Sequence, residues 1–276
     1  MTKSFHKKNT YKVISIFVII TLMMTGCKYF SNNKKNTNSG RKIVKEYYSN
    51  GKIKSINQVI DDKRDGLCKY YNEKGILIAT TEFQNNKYNG KYTTYYANGK
   101  KRSEVMYQDH IRNGKAFIYY EDGTLSIEET YKDNELNGEK KKYYANGKLR
   151  MENEYKNGKP SINLKEYDPY GKLKSHYPKI QIENIDHVLL ERKYILKVSF
   201  SDKSRTAVFY MGDLDENKFL PPYLPEHKTS DGVASIEFYV PPGSILMKTI
   251  TIIGAKRTQD GNTYVTTKKY NLAVKG

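Results

Sequence analysis

The residue types that most often carry catalysis or bind metals do not come together in this sequence. Neither a Gly-x-Ser-x-Gly elbow nor a phosphate-binding glycine loop occurs. Residues 213–217 begin like a calcium loop, but Lys218 and Leu224 stand where Gly and Glu are needed. The histidines lack the short spacings of metal ligands. They are His6, His110, His176, His187 and His227. We predict no catalytic residue, no metal, no cofactor and a protein that is not an enzyme.

Cys27 is the residue whose surroundings point most directly to chemistry, in this case a covalent modification. Four lysines precede an apolar run at residues 13–24, and the small residue Gly26 comes just before Cys27. This layout is typical of a secretory signal peptide, which we place at residues 1–26. The apolar run is shorter than the ~20 residues that a membrane-spanning helix needs.

The end of this segment, Met24-Thr25-Gly26-Cys27, resembles the lipobox of bacterial lipoproteins, with Met where that family usually has Leu. The resemblance implies that the Cys27 thiol is acylated, with fatty acids such as palmitate, and that Cys27 becomes the mature N-terminus. Lys28 rather than Asp follows, so the family pattern implies a lipid-anchored protein of the cell envelope, in the outer membrane if the cell has two membranes. An uncleaved N-terminal anchor is the alternative.

Residues 27–41 are polar, and we predict a lipidated cysteine followed by a flexible tether. The formal net charge of the chain is +18, which favours contact with anionic surfaces such as lipid headgroups or acidic glycans. Surface lysines on a solvated sheet are the alternative explanation. A lipid-tethered protein is not expected to meet nucleic acid, so we predict no nucleic-acid partner.

The rest of the chain is organised by a 24-residue period. The hexapeptide Tyr-Tyr-Ala-Asn-Gly-Lys at residues 95–100 recurs unchanged at 143–148. Its glycine belongs to a series at the same interval, Gly51, Gly75, Gly99, Gly123, Gly147 and Gly171. A second series of Asn-Gly or Asp-Gly pairs ends at Gly66, Gly90, Gly114 and Gly138. Because such pairs are strong hairpin signals, we predict two turns and two short strands per unit over residues 42–177.

Alternation along these strands predicts which residues share a face of the sheet. One apolar column is Val59, Phe83, Tyr107, Tyr131 and Tyr155, and the opposite face carries Glu104, Glu128 and Glu152. The first tyrosine of each motif is never replaced by a polar residue, so we predict that this column lies on the inner, apolar face. Its members are Tyr47, Tyr71, Tyr95, Tyr119, Tyr143 and Tyr167.

The second tyrosine of the motif is the candidate binding residue. We predict that it faces outward among lysines and arginines, where it could stack on sugars or contact a partner protein. The residues concerned are Tyr48, Tyr96, Tyr120 and Tyr144, with Asn72 and Asp168 at the same position. Cross-strand packing that supports the sheet is the alternative role of these rings.

The pattern Tyr-Tyr-x-Asn-Gly-Lys-Leu-x-x-Glu-x-x-Tyr, followed by a further Asn-Gly, resembles the MORN-variant repeats of bacterial proteins that are often labelled antitoxin components. The resemblance covers about half of the chain and implies a curved β-hairpin solenoid. It implies binding or spacing rather than an activity, since a fold does not by itself supply a function.

After residue 177 the period disappears and strand signals crowd together. Segments such as 193–200, 234–240 and 248–254 alternate well, and loops with Pro and Gly separate them. About seven short strands in about 100 residues are typical of an immunoglobulin-like β-sandwich, which we place at residues 178–276. The predicted fold class is all-β, a hairpin repeat solenoid followed by a small sandwich.

Together these features predict a membrane-anchored, non-enzymatic lipoprotein whose repeat array is a binding or scaffold surface for a protein or an envelope polysaccharide. An antitoxin or immunity protein that neutralises a toxin at the envelope is the alternative. The chemistry of the sequence gives little support to an enzyme with an unrecognised hydrolytic site.

Overall fold

The computed structural model describes residues 40–276, which pack as one compact unit. The predicted signal peptide at 1–26, Cys27 and the tether up to residue 39 lie outside the described residues. Within the described part, no helix has the length and apolar character needed to cross a membrane.

Residues 41–166 form one antiparallel sheet of consecutive hairpins. Along the path from β1 to β12 the strands follow chain order, with β3 and β13 pairing off the path to β2 and β11. The strands are β1 Arg41–Tyr47, β2 Ile53–Ile60, β3 Lys63–Arg64, β4 Gly66–Tyr71, β5 Leu77–Gln84, β6 Lys87–Tyr95, β7 Lys101–Gln108, β8 Ile111–Tyr119, β9 Leu125–Lys132, β10 Glu135–Tyr143, β11 Leu149–Lys156, β12 Lys159–Pro160 and β13 Lys165–Glu166. The predicted hairpin array is confirmed.

The turns at the repeated hexapeptide are hairpin turns, as predicted. At residues 96–100, the Gly99 N–H donates to the Tyr96 carbonyl and the Tyr96 N–H donates to the Lys100 carbonyl. Gly99 has φ +81°, while Asn98 Oδ1 accepts the Lys100 N–H at 2.9 Å. This is a three-residue loop in which the glycine supplies the left-handed residue and the asparagine closes the turn.

The second set of turns does not lie where we predicted it. The chain reverses at two-residue turns in which both residues have positive φ, a requirement that Asn and Asp tolerate. These turns are Asp61-Asp62, Asn85-Asn86, Asp109-His110, Asp133-Asn134 and Asn157-Gly158. The predicted turn glycines, such as Gly90 and Gly114, instead lie inside strands with φ +115° and +108°.

The Asn-Gly pairs inside the strands mark β-bulges. Between the pairs Phe83↔Tyr88 and Thr81↔Tyr92, β5 contributes a step of two residues and β6 a step of four. The two additional residues of β6, at the Asn89-Gly90 pair, form the bulge. The bulge glycines each face an aromatic residue of the following strand. The pairs are Gly66↔Phe83, Gly90↔Tyr107, Gly114↔Tyr131 and Gly138↔Tyr155. An aromatic ring therefore stands opposite each position without a side chain.

Our assignment of the first tyrosine column to the apolar face is wrong. The Tyr119 hydroxyl donates to Glu104 at 2.8 Å and the Tyr167 hydroxyl donates to Glu152 at 2.9 Å. These tyrosines therefore lie on the glutamate face, opposite the column that contains Phe83 and Tyr107. The bulge next to each motif turn shifts the register by one residue, and such a shift moves a side chain to the other face.

Residues 178–276 form two small antiparallel sheets that enclose one core. Leu196, Phe200 and Phe238 of one sheet pack in the same cluster as Phe209 and Ile252 of the other. The first sheet has the order β14-β15-β18 and the second β17-β16-β19-β20. The elements are β14 Ile180–His187, α1 Val188–Glu191, β15 Lys193–Phe200, β16 Val208–Met211, β17 Glu226–Lys228, β18 Val233–Tyr239, β19 Ile245–Arg257 and β20 Thr263–Lys275. The predicted all-β class with a terminal sandwich is confirmed.

Polar side chains join the last repeats to the β19–β20 turn. Asp260 binds Arg150 at 2.9 Å and Lys174 at 2.5 Å. The buried Glu166 accepts from Thr258 at 2.6 Å and from Asn262. These contacts fix the sandwich against the end of the repeat sheet, where β12 and β13 replace a full strand.

Lys142 belongs to this junction. Its ammonium group donates to Asn262 Oδ1 at 2.6 Å. Burial, followed by the nearby Lys140 and Arg150, lowers the pKa of Lys142 to about 8. The junction therefore holds a lysine whose charged form is disfavoured by its surroundings.

The bulge glycines provide a first test. Gly114→Asn should lower the free energy of unfolding by about 1–3 kcal/mol, because φ +108° suits glycine and Met106 Cβ lies 3.2 Å from an added Cβ. Urea unfolding measures the change. Gly99→Asn is the control, because its φ of +81° is closer to the region that Asn tolerates and nothing lies within 4 Å of the added Cβ. Equal losses in both variants would refute the requirement for glycine at the bulge.

Lys142 provides a pH test. Its folded pKa lies below that of the unfolded chain, so the unfolded state binds more protons above pH 8 and this lysine adds stability as pH rises from 8 towards 10. Relative to Lys142→Met, the wild-type protein should gain on the order of 1–2 kcal/mol over this range. Chemical unfolding at several pH values measures the difference.

Comparison with the variant is needed because burial raises the pKa of Cys68, which removes stability over part of the same range in both proteins. Lys132→Met, at an exposed residue of β9, is the matched control and should run parallel to wild type. If the free energy of unfolding of Lys142→Met also changes with pH in parallel to wild type, the lowered pKa of Lys142 is disproved.

Candidate binding surface

The predicted tyrosine stripe connects neighbouring units. Each hydroxyl donates to the backbone carbonyl of the first motif tyrosine in the next unit. The bonds are Tyr48 to Tyr71 at 2.7 Å, Tyr96 to Tyr119 at 2.7 Å, Tyr120 to Tyr143 at 2.7 Å and Tyr144 to Tyr167 at 2.8 Å. All four rings are half-buried. These hydroxyls already have intramolecular partners, and the binding role of the four tyrosines stays a prediction.

The asparagine and lysine of the repeated hexapeptide also donate to backbone carbonyls of the next unit. Asn98 Nδ2 donates to the Glu121 carbonyl at 2.9 Å, and Lys100 Nζ donates to the Asp122 carbonyl at 2.5 Å. The copies that begin at Tyr47 and Tyr143 repeat both bonds. The faithful repetition of the motif therefore has a structural reason, since Tyr, Asn and Lys together clamp one turn to the next.

Asn72 and Asp168 replace the second tyrosine in two units and act locally. Asn72 Oδ1 accepts the N–H groups of Lys74 and Ile76, each at 3.0 Å. Asp168 Oδ1 accepts those of Tyr170 and Lys172, each at 2.9 Å. A short polar side chain at this position closes its own turn but does not reach the next one.

A second aromatic group, which we call the ring row, crosses the strands on the opposite side from the glutamate column. Neighbouring members face each other in register or through the bulges. The ring row consists of Phe83, Tyr88, Tyr107, Tyr131 and Tyr155, with Arg64 and Arg112. Sequence reasoning missed the position that follows each connecting turn. This position is occupied by Arg64, Tyr88 and Arg112 at 24-residue intervals.

Rings and guanidinium groups stack along this row. The Arg64 guanidinium lies 4.1 Å from the centre of the Phe83 ring, and that of Arg112 lies 4.2 Å from the centre of the Tyr131 ring. The ring centres of Tyr88 and Tyr107 are 5.6 Å apart. These distances suit cation–π and aromatic contacts. Phe83 is buried, whereas the tyrosines of the row are half-buried and lie next to fixed positive charge.

The ionisation of the tyrosines in the row is shifted by burial. Burial is the main cause that raises the pKa of Tyr107 and Tyr131, and the hydrogen bond to Glu129 raises that of Tyr131 further. The Glu129 carboxylate also binds Lys140 at 2.6 Å. Neutral phenols beside Arg64 and Arg112 can donate or accept hydrogen bonds at neutral pH.

The residues considered for metal binding have other partners. Asp215 Oδ1 accepts the N–H groups of Asn217 and Phe219, while its Oδ2 binds Lys156. Asp213 Oδ1 accepts from Thr251 at 2.6 Å. Across residues 40–276, no group of three or more His, Cys, Asp or Glu side chains is arranged to hold a metal ion.

The clamp between units can be tested with Tyr96→Phe. Loss of the hydroxyl leaves the Tyr119 carbonyl without its 2.7 Å donor, which should cost about 1 kcal/mol of unfolding free energy. Thermal or urea denaturation measures the loss. Tyr170→Phe is the matched control, because that ring is 85% exposed. A Tyr96→Phe variant as stable as this control would show that the bond contributes nothing.

The comparisons with known proteins agree with the repeat geometry. The model of the MORN repeat variant matches the segments 42–61, 64–85, 88–109, 112–133 and 136–157. No curated protein matches the chain. All five matched segments end on the first residue of a connecting turn, so each corresponds to one hairpin unit of the sheet. Residues 42–157 are a tandem array of five MORN repeats of the variant type.

Proposed function

We propose that this protein is a non-enzymatic, lipid-anchored protein of the cell envelope whose repeat array binds an envelope protein or glycan. The ring row carries the proposal, because the same side of successive hairpins presents aromatic and guanidinium groups. The signal-like segment before Cys27 supports attachment to a membrane.

The ring row has the composition of a recognition surface. Tyr and Arg are the residues that most often dominate binding energy at protein interfaces. An aromatic ring such as Tyr107 offers a flat face to a sugar or an apolar side chain, and Arg112 offers a charge that acidic groups would complement. Because the groups are held in register by the sheet, little conformational entropy is lost on binding.

The glutamate face is less suited to this role. Its glutamates have intramolecular partners, for example Glu128 with Lys115 at 2.7 Å and Glu152 with Lys165 at 3.0 Å. Its lysines are exposed, and exposed ion pairs contribute little energy. We therefore assign recognition to the ring row and leave the glutamate face to solvent.

Capture from envelope extract tests the proposal. The Arg64→Ala/Arg112→Ala variant should retain a defined protein or glycan partner about tenfold less well than wild type, which corresponds to loss of one strong interface contact. Lys115→Ala, on the glutamate face, is the matched control and should capture normally. Tyr96→Phe reports separately on the stripe predicted from sequence.

Quantitative mass spectrometry and carbohydrate analysis of the captured material provide the measurement. Circular dichroism checks that each variant is folded. Equal capture by wild type and the double arginine variant, or no partner enriched over beads alone, would refute the assignment to the ring row.

A further inference from the structure

The sandwich has an apolar tip at the end that lies away from the β19–β20 turn. The tip is formed by α1, the end of β18, the β18–β19 loop and the start of β19. Its exposed side chains are Leu189 (97% exposed), Leu190 (90%), Tyr239 (63%), Ile245 (66%) and Met247 (74%). Pro241 and Pro242 of the connecting loop are exposed as well. Apolar side chains grouped at such high exposure mark a contact site.

The register places these residues at one end of the sandwich. Tyr239 pairs with Lys193, the first residue of β15, which is separated from α1 by Arg192 alone. Ile245 pairs with Lys275 at the end of β20. The Val240 N–H donates to the Arg192 carbonyl at 2.9 Å and so joins the loop to the end of α1. The opposite end carries Asp260 and Asn262, which contact the repeat array.

The charges around the tip favour an anionic surface. Of the acidic groups nearby, Glu237 binds Lys193 at 3.2 Å, whereas Glu191 lies 3.5 Å from the His187 ring and Asp186 accepts the Val188 N–H. Among residues 40–276, Arg192, Lys248 and Lys275 have no ion pair, although Lys248 lies over the Phe238 ring. Within this range, the three unpaired basic side chains outnumber the two carboxylates, Asp186 and Glu191, that have no lysine or arginine partner, so the charge around the leucines is positive on balance.

We propose that this tip inserts into the headgroup and upper acyl region of an anionic lipid bilayer. A protruding group of aliphatic side chains suits a deformable surface, and Tyr239 has the amphipathic ring found at membrane interfaces. Arg192, Lys248 and Lys275 would lie at the level of the phosphates. This inference rests on the tip alone and is independent of the ring row and of Cys27.

Fluorescence of a single tryptophan tests the tip, because the chain contains none. Leu189→Trp is made in the full chain and mixed with vesicles of phosphatidylglycerol and phosphatidylcholine. Emission should shift to shorter wavelength, and brominated acyl chains should quench it. Tyr223→Trp, at a residue that is 79% exposed in the β16–β17 loop, is the control and should show neither change.

Two further variants separate the apolar and the charged contributions. Leu189→Trp/Leu190→Ser should need about tenfold more lipid for the same spectral shift, because the variant lacks one leucine side chain that would be buried in the bilayer. In Leu189→Trp/Arg192→Ala/Lys275→Ala, phosphatidylglycerol should increase the emission shift less than it does in Leu189→Trp. Brominated acyl chains should still quench the tryptophan of this variant at low salt. Both leucines are almost fully exposed, so the substitutions leave the core intact.

The vesicle assay also separates a lipid surface from a protein partner. An unshifted and unquenched tryptophan at residue 189, in protein that sediments with the vesicles, would overturn the proposal and indicate that the tip faces a protein. A blue shift that is equal with and without phosphatidylglycerol would overturn the selectivity for anionic lipid.

Discussion

The repeat sheet depends on hydrogen bonds that join each hairpin to the next one along the chain. At the motif turns a tyrosine hydroxyl reaches the backbone of the following unit, as between Tyr96 and Tyr119. At the connecting turns a backbone bond does the same, for example from His110 N–H to the Tyr88 carbonyl. Successive units of a solenoid contact mainly their neighbours, so these bonds, together with the backbone ladders between strands, hold the array together. The hexapeptide is repeated because it makes them.

The sequence predicted the parts of the fold that depend on period and composition. The 24-residue spacing of glycines gave the hairpin array, and crowded strand signals after residue 177 gave the terminal sandwich. The two-residue turns were misplaced because Asn-Gly at residues 89–90 carries the same signal for a turn and for a bulge. Only the register decides between them, and register is a property of paired strands rather than of one segment.

The same limitation applies to the candidate surface. The bulge beside each motif turn moved the first tyrosine column to the glutamate face, and no single strand reveals that shift. Arg64 and Arg112 stack on rings 19 residues further along the chain, a separation that follows from the hairpin geometry. The 24-residue spacing marks the tyrosines as important, but the structure shows which of them connect units and which line the ring row.

The replacement of a tyrosine by Asn72 has a mechanical consequence. Within the part of the chain that the structure describes, no side-chain hydrogen bond joins the turn at residues 72–75 to the turn at residues 96–100, whereas the other neighbouring motif turns are joined in this way. An array pulled from its two ends would then open first at this joint, which acts as a hinge or a breaking point under load. Amide exchange would be fastest at the same place.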